Sequence, residues 1–123
     1  MTDARQKLGR WGEHVAATYL EAKGMRVLEC NWRCARGEVD IVAQEDDMIV
    51  FVEVKTRRGR ALGLPEEALT PAKAQRLVML GEMYLAEHEC ADVSWRVDLV
   101  AVELDPRGKL LRCEHIPYAT PGW

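Results

Sequence analysis

No apolar run in this chain approaches the ~18–20 residues that a membrane-crossing helix needs. The first residues, MTDARQKLGRWGEH, place no apolar segment behind their basic side chains, so they do not read as a signal peptide. The cytoplasm is the expected compartment, and no membrane partner is expected. Cysteine is sparse. Cys30, Cys34, Cys90 and Cys113 form no CxxC pair, and no histidine follows them at zinc-finger spacing. Reduced thiols are the expectation there, with a zinc site as the alternative. Repeats, linkers and low-complexity segments are also missing. There is no large excess of one charge: the net charge of −3 excludes a protein that binds nucleic acid with its whole surface.

A length of 123 residues favours one domain over residues 1–123. Hydrophobic residues at 48% and charged residues at 30% suit an ordinary globule, large enough to hold a core without disulfides or structural metal. The charges are unevenly spread. Residues 1–60 hold 11 Lys/Arg and 10 Asp/Glu, whereas residues 61–123 hold 6 and 10. A metal that neutralised the acids of the first half would leave its basic residues dominant.

The spacing predicts a first helix from about Asp3 to Lys23, with Thr2 or Asp3 as cap and Gly24 as stop. Leu8, Trp11, Val15, Tyr19 and Ala22 share one face, and Trp11 reads as core. Gly12 in that stripe would let the helix approach a sheet closely. Met25–Arg33, Gly37–Ala43 and Met48–Arg57 read as strands, with a turn at Cys34–Gly37 and a polar loop at Gln44–Asp47. Thr70-Pro71 starts a second helix that runs to about His88 and buries Ala74, Leu77, Val78, Gly81, Tyr84 and Leu85. Ser94–Leu104 and Lys109–Tyr118 are two further strands. The order α-β-β-β-α-β-β implies an α/β or α+β sandwich around a mixed sheet, with a parallel crossover between the third and fourth strands.

The second and third strands carry a charge problem. Alternation puts Glu38, Asp40 and Val42 on one face of the first, and Phe51, Glu53 and Lys55 on one face of the second. The opposite face of the hairpin is apolar, including Val39, Ile41 and Ala43. With Asp46-Asp47 as a two-residue loop, Asp40 falls opposite Glu53 and Glu38 opposite Lys55. A loop of odd length would put Asp40 and Glu53 on opposite faces. Directly opposed side chains have Cβ atoms about 4.5–5.5 Å apart, where like charges destabilise a sheet. Such a pair raises its proton affinity or takes up a cation. Lys55 compensates one acid, not three. A divalent metal satisfies all of them, and clustered oxygen ligands suit Mg²⁺ or Mn²⁺. The competing reading is a solvated face laced with salt bridges. Against it stand Val42 and Phe51, which imply that the face is partly covered. Arg57 lies in line with Lys55, and Arg58 and Arg60 follow. A metal cluster edged by guanidinium groups has the makings of a phosphate site. Glu13, at the rim of the helix stripe, could lean towards Asp40.

The segments GRWGEHVAATYLEAKG, NWRCARGEVDIVAQEDDMIVFVEVKTR, TPAKAQRLVMLGEMYL and RVDLVAV together resemble the YraN family of bacterial proteins, within the PD-(D/E)XK nuclease superfamily beside archaeal Holliday-junction resolvases. The resemblance spans about residues 5–104. It implies an α/β fold with a restriction-endonuclease-like αβββαβ core, a mixed central sheet flanked by helices. It places the superfamily's D and E-x-K on Asp40, Glu53 and Lys55, and its helix-1 acid on Glu13. Val39 stands where many superfamily members have proline. Glu38 belongs to the family's GE-x-D signature without an assigned role.

The implied activity is metal-dependent hydrolysis of phosphodiester bonds in DNA. Asp40 and Glu53 would hold one or two Mg²⁺ or Mn²⁺ ions, with Glu13 completing the ligand set. The Val54 carbonyl, between two site residues on its strand, is a further candidate ligand. Lys55 would orient water or neutralise phosphate. Arg33, Arg36, Arg57, Arg58 and Arg60 would hold flanking phosphates, which position a substrate without reading its sequence. The expected partner is therefore DNA recognised by shape, branched or flapped, and a homodimer would match a two-fold junction. The alternative is a non-catalytic nucleic-acid-binding or scaffold module that keeps the fold. Arg96 and Asp98 read as an internal ion pair, with an auxiliary site pair as the other possibility. Trp32 and Trp95 read as core or rim packing, with base stacking as the other possibility.

Overall fold

A computed structural model of the chain describes residues 3–90 and 92–119. Helix α1 (Ala4–Ala22) precedes three strands, β1 (Arg26–Cys34), β2 (Gly37–Glu45) and β3 (Met48–Arg58). A turn of 3-10 helix (Pro65–Ala68), helix α2 (Pro71–Glu87) and strands β4 (Trp95–Leu104) and β5 (Leu110–Ile116) follow. One sheet holds the strands in the order β1-β2-β3-β4-β5. β3 and β4 are parallel, joined through α2, and the other neighbours are antiparallel. This is the αβββαβ order of a restriction-endonuclease-like core with β5 added beside β4. No helix among the described residues is long and apolar enough to cross a membrane.

The helix starts follow their caps. Asp3 Oδ1 accepts the Gln6 N–H at 2.9 Å, and Thr70 Oγ1 accepts the Lys73 N–H at 3.3 Å. Thr2, the other candidate cap, lies outside the described residues. The buried face of α1 differs from the expected stripe. Gly12, Ala16 and Leu20 are buried, whereas Trp11 is 39% exposed. The reason is steric. A Cβ at Gly12 would stand 1.9 Å from Thr56 Oγ1, so the helix comes closest to the sheet at Gly12, and Trp11 beside it falls outside the contact. Helix α2 uses the same device. A Cβ at Gly81 would lie 2.8 Å from the Phe51 ring, which packs edge-on against Tyr84 and Trp95. Leu80, unforeseen in the α2 stripe, is buried, while Val78 is only partly so.

Both faces of the sheet are therefore covered. Ala16 and Leu20 of α1 pack on Ile41, Val52 and Val100, and Leu77 and Tyr84 of α2 pack on Val42, Phe51 and Val97. Each buried side chain of this size contributes roughly 1.5–3 kcal/mol. Val39 leaves the alternation and packs on the α2 side with Trp32. Beside it, between the pairs Cys30↔Ile41 and Trp32↔Val39, Asn31 takes a positive φ of 55°. Trp32 is core, with its Nε1 donating to Glu87 at 3.0 Å.

Asp46 and Asp47 form the two-residue turn, and the register is the expected one, from Glu45↔Met48 through Ile41↔Val52. The ladder stops there. The next positions are Asp40 and Glu53. Asp40 Oδ2 instead accepts the Val54 N–H at 2.8 Å, so a carboxylate takes the place of a backbone carbonyl and the strands part. Glu38 and Lys55 consequently do not pair. β3 stays in register with β4 as far as Arg58↔Leu104, which leaves its other edge free to face a cleft.

Candidate active site

The cleft has a volume of about 860 Å³. Arg5, Gly9 and Glu13 of α1 line one side, and Lys73, Arg76 and Leu77 of α2 line the other. Its floor is the parted end of β2 and β3, with Glu38, Asp40, Glu53, Val54 and Lys55. The segment that follows β3 closes the remaining side.

Glu13, Glu38 and Asp40 each bring one carboxylate oxygen within 4.8 Å of the other two. Glu13 reaches them because Gly12, one residue earlier, seats α1 directly on β3. Asp40 is 8% exposed, and its carboxylate accepts the Val54 N–H. Glu13 Oε2 is buried with no hydrogen-bond partner. Burial, then the Asp40 and Glu38 carboxylates, raise the Glu13 carboxyl to about 7. Glu53 stands beside this trio rather than within it. Burial raises its carboxyl strongly, Asp40 adds to the rise, and Lys55, 3.8 Å away, opposes it only in part. Glu38 has its own cation, Arg33, at 2.8 Å.

These residues fit a divalent cation. All donors are carboxylate oxygens, which suit a hard ion. One of them is buried and unpartnered, and burial, with the neighbouring carboxylates, raises the carboxyls of Glu13 and Glu53. The cleft is lined by six cations, Arg5, Lys55, Arg57, Arg58, Lys73 and Arg76, and four acids, Glu13, Glu38, Asp40 and Glu53.

Asp40, Glu53, Lys55, Glu13, Val54, Arg57 and Arg58 all line the one cleft. Three expected phosphate contacts lie elsewhere. Arg33 is spent on Glu38. Arg36 sits in the turn before β2, outside the cleft, where its carbonyl accepts from Arg76. Arg60 turns away to the buried Glu103, at 3.1 Å. Three cations were missed: Arg5, Lys73 and Arg76. Arg5, Gly9 and Glu13 are spaced by four, one line on a helix, and that spacing was available in the sequence. Glu38, one of the three acids expected on the charged hairpin face but given no ligand role there, joins Glu13 and Asp40 in the cluster. The four cysteines are free.

Arg96 and Asp98 form the expected internal pair, Nε to Oδ1 at 2.9 Å. His115 Nε2 also bonds Asp98, at 2.6 Å, and Arg96 Nη1 donates to Glu45 at 3.0 Å.

Comparison with known proteins gives the family of the chain. Residues 12–102 match the sequence model described as "Uncharacterised protein family UPF0102". A UPF0102 protein of Roseiflexus castenholzii is 48% identical over 120 residues, 97% of each chain. One of Syntrophotalea carbinolica is 45% identical over the full length of both chains. One of Streptomyces coelicolor is 51% identical over 108 residues, 86% of this chain and 83% of its own. The matched region contains α1 from Gly12, the whole acid cluster and most of β4. The resemblance drawn from the sequence and the similarity of these chains agree: the protein belongs to family UPF0102, the YraN family.

Proposed function

We propose that this protein is a Mg²⁺- or Mn²⁺-dependent nuclease that hydrolyses phosphodiester bonds in DNA and selects its substrate by structure rather than sequence. The observation that carries this reading is the convergence of Glu13, Glu38 and Asp40, with an unpartnered buried oxygen, in a cleft edged by arginines. Glu13, Glu38 and Asp40 would hold the metal, and Glu53 lies close enough to Asp40 to complete or share the set. A bound metal supplies a more acidic water and a positive charge for the phosphoryl oxygens in the transition state.

The chain's own residues do the rest. Lys55, beside Glu53, points its ammonium into the same cleft, where it orients the attacking water and neutralises phosphate charge. The water oxygen forms a bond to phosphorus as the bond to the departing sugar oxygen breaks. The proton lost from the water passes to solvent or to a cleft carboxylate, and the departing sugar oxygen takes up a proton from solvent water to leave as the hydroxyl. Arg57 and Arg58 on one side, and Arg5, Lys73 and Arg76 on the others, hold neighbouring phosphates. Their contribution falls with salt. DNA is the proposed partner, met in the cytoplasm.

The test offers duplex, flapped, branched and single-stranded DNA with Mg²⁺ or Mn²⁺. Cleavage by the wild type that is lost in both Glu53→Ala and Lys55→Ala supports the reading. Cleavage that survives both substitutions removes this site from the chemistry. Binding without any cleavage would mark the protein as a non-catalytic module.

A further inference from the structure

The segment after β3 displays an apolar side chain at the mouth of the cleft. Leu62 is 83% exposed, the most exposed of the large apolar residues among those described. Single exposed leucines are ordinary on protein surfaces. This one is distinguished by how it is held and by what lies next to it.

Leu62 occupies a tight turn, Arg60 to Gly63, closed by the Gly63 N–H donating to the Arg60 carbonyl at 3.0 Å. Both ends of the turn are anchored. Before it, the Gly59 N–H donates to the Leu104 carbonyl at 3.0 Å, and the Arg60 guanidinium is paired with the buried Glu103 at 3.1 Å. After it, the Leu64 N–H donates to Glu67 Oε1 at 2.7 Å. Gly59 and Gly63 take φ of +73° and +88°, values that a β-carbon disfavours, so the turn geometry is written into the chain. Arg60, absent from the cleft, thus serves to brace the turn. Leu62 and Ala61 line the same cleft as Asp40, Glu53, Arg57 and Arg58.

We propose that Leu62 is an apolar wedge that inserts beside the bases where duplex DNA opens into single strands, while Arg57 and Arg58 hold the adjoining phosphates. This rests on the reading of the cleft as a phosphodiester site and deepens it: Leu62 is the residue by which that site tells a fork beside the scissile bond from continuous duplex. Proteins that part base steps do so with leucine and similar apolar side chains. The cost of unstacking is least where a base is already unpaired. One leucine on a braced turn therefore discriminates between a fork, where the gap pre-exists, and continuous duplex, where it must be made.

The test places 2-aminopurine at the first paired base of a forked DNA, with continuous duplex and single strand of the same sequence as comparisons. No divalent metal is added, so cleavage does not intervene. Binding is followed by anisotropy and unstacking by the rise in 2-aminopurine emission. The wild type is expected to raise emission on the fork. Leu62→Ala is expected to abolish the rise and to lower the preference for fork over duplex about tenfold. Leu62→Phe is expected to keep both. A rise and a preference that survive in Leu62→Ala, or a bound fork with no rise in the wild type, would overturn the wedge. Wild-type protein that binds none of the three DNAs would overturn the wedge and the phosphodiester reading together. A rise that depends on Leu62, with no cleavage after Mn²⁺ is added, supports the wedge and overturns only the nuclease.

Discussion

Asp98 and Asp40 are both buried aspartates of the same sheet, and their surroundings are opposite. Asp98 accepts from Arg96 at 2.9 Å, from His115 at 2.6 Å and from the Tyr118 N–H at 3.1 Å. Burial acts to raise its carboxyl, but the bonds from His115 and Arg96 outweigh burial and hold it below the usual range. Glu103 is treated in the same way. Its desolvation is overcome by Arg112 and Arg60, and its carboxyl is lowered. Asp40 accepts the Val54 N–H and is surrounded by Glu13, Glu38 and Glu53. There the carboxyls of Glu13 and Glu53 are raised, and one Glu13 oxygen has no partner. The fold has guanidinium groups to spare, since Arg57, Arg58 and Arg76 stand around the same cleft. Acids that hold the structure together are matched with cations from the chain. In the cleft Glu38 has Arg33 and Glu53 has Lys55, but among the described residues Asp40 and Glu13 have no cation bonded to them, which is the arrangement that a cation from solution requires.

Substitution at the two places should fail in different ways, and activity should show the largest effect. Glu53→Ala is expected to lower cleavage of forked DNA in Mn²⁺ by about a thousandfold or more, from the loss of several kcal/mol of transition-state stabilisation. Its melting temperature in the absence of metal should hold or rise, because a buried acid that Lys55 compensates only in part has gone. Asp98→Ala should show the reverse emphasis. It leaves Arg96 with Glu45 alone and His115 without its acid, and should cost about 3 kcal/mol of folding stability, measured by denaturant titration. If Glu53→Ala unfolded the protein and Asp98→Ala did not, the contrast between the clusters would be misdrawn.

Metal addition sharpens the same contrast. Mg²⁺ or Mn²⁺ at a hundred times its dissociation constant should stabilise the wild type by about 2.7 kcal/mol. Asp40→Asn should lose this gain, while its side-chain carbonyl can still accept the Val54 N–H. Asp98 contributes nothing to the gain on this reading. Equal stabilisation of wild type and Asp40→Asn in thermal melts would remove the cluster as the binding place.

Much of this contrast is legible in the sequence, and the exceptions have physical reasons. The turn at Asp46-Asp47 sets the parity, and parity alone brings Asp40 and Glu53 next to each other. The helical angle alone places Glu13 at the rim. The parting of the strands is not legible, because it depends on the Asp40 side chain replacing a carbonyl at Val54. That one bond moves Glu38 from Lys55 towards Glu13. Trp11 misleads because apolar periodicity favours large side chains, whereas Gly12 and Ala16 govern how close a helix can come. Arg60 misleads for another reason. Its partner Glu103 is 43 residues away in the chain, and the parallel pairing of β3 with β4 is what brings it near.

The smallest expected effect is on the pH dependence of stability, and its sign separates the clusters. The Glu13 carboxyl rises from its ordinary 4.5 to about 7 on folding. Between those values the folded protein holds more protons than the unfolded chain, so stability falls as pH rises through the interval. This contribution is fully present below 4.5 and gone above about 7. The raised Glu53 carries the fall to higher pH. The lowered carboxyls of Asp98 and Glu103 act oppositely: they stabilise above their ordinary range and lose that contribution on acidification. Glu13→Gln should therefore stabilise the metal-free protein by about 1 kcal/mol at alkaline pH, a figure reduced for the partial exposure of the side chain. It should change little below pH 5. Saturating Mg²⁺ should flatten the wild-type slope, because a bound cation favours the charged carboxylates. Denaturant titrations at pH 5 and pH 8, with chelator and with Mg²⁺, measure all of these. A wild type that gains stability from pH 5 to pH 8, with Glu13→Gln tracking it, would mean that the cleft acids are compensated within the chain after all.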